Sequence, residues 1–373
     1  MPKINQMGLN KVFAILSIFL IVIGCGSEKK EPAKLAEKKV NNTLKMFEKL
    51  DAAQTGISFN NTISPDQELV FYDFQYQFNG GGVGIADFDN DGLSDVFFAG
   101  NEVSNKLYLN LGELKFEDIT DKANVGQLGS WVSGVTIVDI NSDGFQDIYL
   151  SRGGFNPAEQ RKNSLLINNG DLTFTEAAEQ YGIADTGFTT QSAFFDYDLD
   201  GDLDLFVMNH SNTWSTADDL NIDKYKKRQV TEDRLYNNEN GKFNDVTPNA
   251  GFDPEIAGGY GLGISVGDFN NDNYPDLYIS NDYDSPDRMY INQQDGTFKN
   301  ETKERTTHIA LYSMGNDVAD LNNDGFIDVI ALDMSAEDHV RIKTQMGAMA
   351  PEKFYELVRF GFPLQYMYNT LQL

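Results

Sequence analysis

The sequence predicts an all-β fold, a β-propeller of four-stranded blades, on three observations. An acidic nine-residue loop recurs five times, short β-branched and aromatic runs flank the copies, and a second motif built on Asn, Gly and Phe follows the loop. The first aspartates of the five loops stand at positions 87, 139, 196, 268 and 320, a repeat of 52 to 72 residues. Periods of that size carrying four strands point to blades packed radially about a channel, each burying its apolar faces on its neighbours.

The loops read Asp87-Phe-Asp89-Asn-Asp91-Gly92-Leu-Ser-Asp95, Asp139-Ile-Asn141-Ser-Asp143-Gly144-Phe-Gln-Asp147, Asp196-Tyr-Asp198-Leu-Asp200-Gly201-Asp-Leu-Asp204, Asp268-Phe-Asn270-Asn-Asp272-Asn273-Tyr-Pro-Asp276 and Asp320-Leu-Asn322-Asn-Asp324-Gly325-Phe-Ile-Asp328. Positions 1, 3, 5 and 9 always carry Asp or Asn. A ligand set of carboxylate and amide oxygens, with no His or Cys, suits a hard cation tolerant of irregular coordination, which favours calcium over magnesium and disfavours zinc. Position 6 is Gly in four copies and Asn in one, the residues that enter the left-handed region at least cost. Position 7 is expected to offer its carbonyl. An EF-hand is excluded, because that loop closes with Glu at position 12 between helices, whereas here Asp closes at position 9 between strands.

The flanking runs include Gly134-Val-Thr-Ile-Val138 before a loop, and Val96-Phe-Phe98, Ile148-Tyr-Leu150, Leu205-Phe-Val-Met208, Leu277-Tyr-Ile279 and Val329-Ile-Ala-Leu332 after loops. They read as buried strands. The second motif runs Asn105-Lys-Leu-Tyr-Leu-Asn110 with Gly112 and Phe116, and returns from Asn163, Asp233 and Asp287. Each copy reads as a hairpin, so one repeat is strand, acidic loop, strand, connection, strand, tight turn, strand.

These residues resemble the FG-GAP or VCBS repeats of integrin α-like propellers. Phe78-Asn-Gly-Gly-Gly-Val-Gly-Ile-Ala-Asp87, Phe195-Asp-Tyr-Asp-Leu-Asp-Gly-Asp-Leu-Asp-Leu-Phe-Val-Met-Asn-His210 and Met314-Gly-Asn-Asp-Val-Ala-Asp320 are similar, more narrowly, to bacterial secreted proteins that join such a propeller to an ASPIC/UnbV domain. The resemblance covers about residues 44–373 and departs from that family in lacking the ASPIC/UnbV domain. Asn369-Thr-Leu-Gln-Leu373 aligns with Asn163-Ser-Leu-Leu-Ile167, so the sequence stops inside a blade. The expectation is five to six blades of a seven-bladed form and an incomplete ring, either as a natural short form or as a truncated chain. Phe47-Glu-Lys-Leu50 mimics Phe116-Glu-Asp-Ile119 and is expected as the outer strand of a closing blade.

Residues 1–25 combine Lys3 and Lys11, an apolar run over 12–23 and Val22-Ile-Gly-Cys25, which reads as a signal peptide. The ending resembles the bacterial lipobox, and the resemblance implies lipidation of Cys25 and a membrane anchor outside the cytoplasm. Cys25 is the only cysteine, which excludes an internal disulfide. Residues 26–43 are charged, lack aromatics and read as a flexible tether.

The formal charge of −28 argues against nucleic acid, whose phosphates call for Lys and Arg clusters. Seventeen carboxylates occupy loop positions 1, 3, 5 and 9, and five structural calcium ions would bring the charge to −18. Loops 1 and 3, with four Asp each, are expected to bind most tightly, and loop 4, with Asn270 and Asn273, most weakly. The connections 151–162, 209–232, 280–287 and 333–368 gather on the face opposite the loops, and within the last Ala350-Pro-Glu-Lys-Phe-Tyr-Glu-Leu-Val-Arg359 reads as a helix. Candidate ligand-face residues are Arg152, Phe155, His210, Trp214, Tyr225, Tyr283 and Asp284. No nucleophile elbow, phosphate loop or His-Glu-x-x-His helix is present. The expected function is binding of a protein or glycan partner, not catalysis; the alternative is a polysaccharide lyase or hydrolase using His210 or Asp284.

Overall fold

The structure, a computed structural model, describes residues 47–64, 75–127, 129, 131–154, 156–211, 233–252, 259–283, 285–336, 338–341 and 351–373. The leader (1–25) with Cys25, the tether (26–43), Phe155, Trp214, Tyr225 and Asp284 lie outside the described residues. Leu50–Leu373 form one compact unit.

Four sheets follow the expected repeat, each antiparallel and ordered as in the sequence. Blade 1 comprises Val83–Ala86, Asp95–Phe98, Lys106–Asn110 and Phe116–Asp118, and blade 2 Val132–Val138, Asp147–Arg152, Ser164–Asn168 and Phe174–Glu176. Blade 3 comprises Thr189–Phe195, Asp204–Asn209, Arg234–Asn238 and Phe243–Asp245, and blade 4 Gly261–Gly267, Asp276–Asn281, Arg288–Asn292 and Phe298–Asn300. Blade 5 has three strands, Ser313–Ala319, Asp328–Asp333 and Thr370–Gln372. The first strands of successive blades pack against one another from blade 1 to blade 5.

The apolar runs after loops 2, 3 and 4 are buried on both faces because their blades are sandwiched between neighbours. Successive side chains of a strand point to opposite faces, and in the second strands they enter different cores. Ile148 and Leu150 pack with Phe97 and Leu107 of blade 1, while Tyr149 between them packs with Leu205 and Val207 of blade 3. Phe206 and Met208 face Leu277 and Ile279 of blade 4, and Tyr278 faces Val329 and Ala331 of blade 5. A run with no polar alternation is what such two-sided burial requires. Val83 and Ile85 of blade 1, and Ile330, Leu332 and Leu371 of blade 5, remain exposed.

Near the axis the first strands crowd, which explains their Gly, Ser and Thr content. A Cβ on Gly134 would lie 2.6 Å from the Thr190 carbonyl oxygen, and one on Gly81 2.3 Å from that of Ala99. Hydroxyls sew neighbouring first strands together: Ser133 Oγ donates to the Thr189 carbonyl (2.5 Å), Thr136 Oγ1 to that of Ser192 (2.8 Å) and Thr190 Oγ1 to that of Gly261 (2.8 Å).

The residue opening the second motif caps the end of the second strand. Asn105, Asn163, Asp233, Asp287 and Asn369 accept from the backbone N–H of Gly100, Arg152, Asn209, Asn281 and Asp333 at 2.8 to 2.9 Å. Asn369 therefore holds the place the sequence alignment gave it. Pro351–Arg359 forms the expected helix, whereas the two-residue parallel pairing of Ile309–Ala310 with Gln365–Tyr366 was not anticipated.

Phe47–Leu50 carry no strand pairing. Asp51 instead opens a one-turn helix, Ala52–Thr55, through a capping box with Gln54, and Gly56 ends it at φ 83°. A Cβ on Gly56 would meet the Phe116 carbonyl oxygen at 2.4 Å, as one on Gly182 would meet that of Phe243 (2.8 Å) and one on Gly251 that of Phe298 (2.5 Å). Residues 51–57 thus lean on blade 1 as the segment after each outer strand leans on the next blade.

Away from the acidic loops, two buried carboxyls carry a pH signature. Asp287 accepts from Asn281 N–H and Tyr278 Oη (2.9 Å), and burial pushes it up to about 7. Asp282 accepts from Tyr283 N–H (2.7 Å) and Tyr76 Oη (3.2 Å), and burial lifts it to about 6. Both exceed the roughly 3.9 of an unfolded Asp, so their contribution to stability is complete below that pH and lost as pH rises through 6 to 7.

Two predictions follow from this packing. Gly134→Val should destabilise the fold by about 2 kcal/mol or more through overpacking against Thr190, read as a lowered midpoint in urea. Asp282→Asn should gain melting temperature relative to wild type as calcium-saturated buffer is taken from pH 5 to pH 8; a difference that shrinks with pH would contradict the assigned burial cost.

Candidate calcium loops and the opposite channel mouth

Each acidic loop folds around its own carboxylates. In loop 1 the N–H of Asp91 donates to Asp87 (3.1 Å) and Asp89 (3.3 Å), that of Gly92 to Asp87 (2.7 Å) and that of Leu93 to Asp91 (2.8 Å). The other four loops repeat the pattern, as in Gly144 to Asp139, Gly201 to Asp196, Asn273 to Asp268 and Gly325 to Asp320. Position 6 is left-handed in every copy, at φ 72° for Asn273 and 88° to 100° for the glycines. Position 4 is left-handed as well, at Asn90, Ser142, Leu199, Asn271 and Asn323, with φ from 56° to 61°. Two such residues, one apart, curl the chain about a single centre; at Leu199 this costs about 1 kcal/mol. The Asn in three of the five copies was the available signal.

Carboxylate oxygens of Asp87, Asp89 and Asp95 lie within 4.8 Å of one another, and those of Asp196, Asp198 and Asp204 do the same. These are positions 1, 3 and 9 of the two all-Asp loops. In loops 2 and 4 the position 3 amide turns its nitrogen to position 5, Asn141 to Asp143 and Asn270 to Asp272, both at 2.9 Å. Burial, then the neighbouring Asp91 or Asp200, raises Asp89 and Asp198, and burial lifts Asp204 to about 7 and Asp147 and Asp276 to about 6. Crowded hard oxygens whose ionised forms are disfavoured until a cation compensates them fit calcium. The residues that would hold it are Asp87, Asp89, Asp91 and Asp95 and their counterparts Asp139, Asn141, Asp143, Asp147, Asp196, Asp198, Asp200, Asp204, Asp268, Asn270, Asp272, Asp276, Asp320, Asn322, Asp324 and Asp328.

The position 9 Asp is buried in all five copies and ties the loop to the sheet. One oxygen accepts the position 2 N–H, as in Phe88 to Asp95 (3.0 Å), and the other accepts the N–H of a third-strand Asn, namely Asn110, Asn168, Asn238 or Asn292, at 2.7 to 2.8 Å. Sequence reasoning assigned these Asn to a turn and missed the bond to the loop. In blade 5, Asp328 Oδ1 is buried without a hydrogen-bond partner among the described residues.

At the other end of the first strands a cavity of about 300 Å³ is lined by Tyr76, Asn79, Trp131, His210, Leu262 and Met314 among others. An aromatic residue immediately precedes the first strand in four blades: Trp131, Phe188, Tyr260 and Tyr312. Trp131 (φ 47°) and Tyr283 (φ 59°) both sit in the left-handed region, rare for bulky residues, and pack in one cluster with Tyr76, Tyr260 and Leu262. Tyr283 stacks edge-on to Tyr260 at 5.0 Å. His210 is buried between Tyr76 and Phe188, each 5.4 Å away, and its Nδ1 lies 2.7 Å from the Ser211 carbonyl, which can only accept. Burial lowers its pKa to about 4, so the ring is neutral at pH 7 with the proton on Nδ1. Arg152 is half-buried and donates from Nη2 to Gln127 at 2.5 Å, outside the cavity lining. Of the described candidates, His210 reaches the cavity and Tyr283 the adjoining cluster. The recurring aromatic before the first strand of blades 2 to 5 was the missed signal.

The FG-GAP-like repeat family matches residues 87–150, 155–207 and 268–331. Cartilage acidic protein 1 is 26% identical over 201 residues in Xenopus tropicalis and 27% identical over 204 residues in Homo sapiens. Each match takes in 54% of this chain and 28% of the relative, so the chain spans little more than a quarter of these curated proteins. Among solved structures, an Agrocybe aegerita lectin that recognises non-reducing terminal N-acetylglucosamine aligns at TM-score 0.33 and 19% identity, covering 68% of this chain and 74% of the lectin. The V. cholerae biofilm matrix protein Bap1 aligns at TM-score 0.34 and 14% identity, covering 67% of this chain and 34% of Bap1. With the loops, the blade order and the repeat match in agreement, the chain carries FG-GAP-like repeats on the blades of a propeller-type fold.

Proposed function

We propose that this chain is a calcium-stabilised propeller, held outside the cytoplasm through a lipid on Cys25, that binds a macromolecular partner, protein or glycan, at the face opposite its acidic loops. The observation that carries the reading is the cavity at that channel mouth, where Trp131 and Tyr76 stand over the entry of the first strands and Trp131 keeps a strained backbone. Strain maintained beside a cavity favours a functional over a packing role, and rigid aromatics offer contact area at low entropic cost. Ligand recognition by loops on one face of a stiff scaffold is the common arrangement. The basic start and apolar run before Cys25 support the address. We read the site as binding and not catalytic, because His210 is enclosed and neutral, an environment suited to a scaffold hydrogen bond and poor for a general base near pH 7.

Calcium is the structural cofactor in this reading. A site filled at a hundredfold excess over its Kd adds about 2.7 kcal/mol, so a chelator acting on several loops should lower the melting temperature by on the order of 10 °C. An unchanged transition would leave the loops without a role for the ion. For the partner, immobilised protein screened on a glycan array and against cell-surface fractions should retain a ligand without turning it over. Asn79→Arg and Leu262→Arg, which place a bulky charge at the cavity, should weaken retention at least tenfold while leaving the melting temperature within a few degrees. Retention indifferent to both variants would move the site elsewhere, and release of cleaved glycan would replace binding with catalysis.

A further inference from the structure

Two buried hydrogen-bond chains run from one acidic loop to the next. In the first, Asp95 Oδ2 accepts the N–H of Phe88 (3.0 Å), the Phe88 carbonyl accepts Asn168 Nδ2 (2.8 Å), and the Asn168 N–H donates to Asp147 Oδ1 (2.8 Å). The second repeats it through Asp204, Tyr197, Asn292 and Asp276, at 3.1, 2.7 and 2.8 Å. Each chain begins and ends on the closing Asp of a loop, and Phe88 and Tyr197 lie between the first two acidic ligands of theirs. Asn168 and Asn292 are almost wholly buried, so water cannot substitute for their bonds.

At the rim a second link recurs in part. Asn90 Nδ2 donates to the Gly144 carbonyl (3.0 Å), joining loops 1 and 2, and Asn271 Nδ2 to that of Gly325 (3.1 Å), joining loops 4 and 5. Between blades 2 and 3 both links are missing among the described residues. Asn238 gives its amide to the Leu203 carbonyl (3.0 Å) and accepts from Gly241 (2.8 Å), and Ser142 stands where Asn90 would.

We infer that calcium binds the loops as two cooperative groups, loops 1 and 2 and loops 3 to 5, coupled through Asn168, Asn292 and the rim amides of Asn90 and Asn271, and not as five independent sites. The inference rests on the calcium reading above. An ion that fixes Asp95 also fixes the Phe88 peptide, and with it the Asn168 amide that orients Asp147, so the neighbouring loop loses less freedom when its own ion arrives. Asn168 and Asn292 are positioning residues, since neither belongs to the ligand set.

Hydrogen exchange of the full chain during a calcium titration gives each loop its own midpoint, through the amides at positions 5 and 6. Asp89→Asn should shift the midpoint of loop 2 to about fivefold higher calcium and leave loops 3 to 5 in place. Asp139→Asn should shift loop 1 by the same factor, because coupling is reciprocal. Asn168→Ala combined with Asn90→Gly, which cuts both links, should remove the transfer between loops 1 and 2 alone; should that variant not fold, the two ligand variants still decide the matter. A loop 2 midpoint unmoved by Asp89→Asn, or a loop 3 midpoint moving as far as that of loop 2, would overturn the coupling while leaving calcium binding intact. Loops indifferent to calcium would overturn the calcium reading, and the coupling with it.

Discussion

The architecture depends on one buried carboxylate per blade. The closing Asp of each loop sits where the first, second and third strands converge, and its oxygens accept backbone N–H groups from the loop entry and, in four blades, from a third-strand Asn. A buried acceptor without donors would cost far more than the bonds return. Asp95, Asp147, Asp204 and Asp276 are therefore fastened twice, and sheet geometry follows from the fastening. In the calcium reading the same group would be the innermost acidic ligand of the loop, so that strand order and cation affinity would rest on one side chain.

Two ends of the first strands do different work. At the loop end, carboxylates crowd, their ionised forms are penalised by burial, and the left-handed residues at positions 4 and 6 hold the backbone amides toward them. At the opposite end the charges give way to Trp131, Phe188, Tyr260 and Tyr312, with a neutral His210 among them. The loop carboxylates thus stand at the end of the first strands opposite the cavity.

Much of this was legible in the sequence because the fold is written five times. A single Asp-x-Asp-x-Asp-Gly loop is ambiguous, but repetition fixed the period, the strand runs and the second motif, and the alignment of 369–373 with 163–167 placed Thr370–Gln372 as a third strand. Pro351 marked its helix for the ordinary reason that proline fits a first turn. What escaped was either non-local or locally disguised. Ser142 and Leu199 have no left-handed preference, and the loop imposes one. The bond from Asn168 to Phe88 spans eighty residues, and nothing in either neighbourhood announces it. Phe47–Leu50 imitates an outer strand, yet Asp51 and Gln54 supply a capping box that starts a helix right after it.

Repeat proteins gain stability from interfaces between neighbours, and identical interfaces would make every blade equivalent. Here the apolar part is close to equivalent, since four clusters join five blades by the same alternation of second-strand side chains. The polar part is not. Asn168 and Asn292 reach back to the preceding loop, whereas Asn238, at the same position in blade 3, gives its amide to the Leu203 carbonyl of its own loop. The apolar clusters join all five blades alike, and the Asn links set which loops respond together.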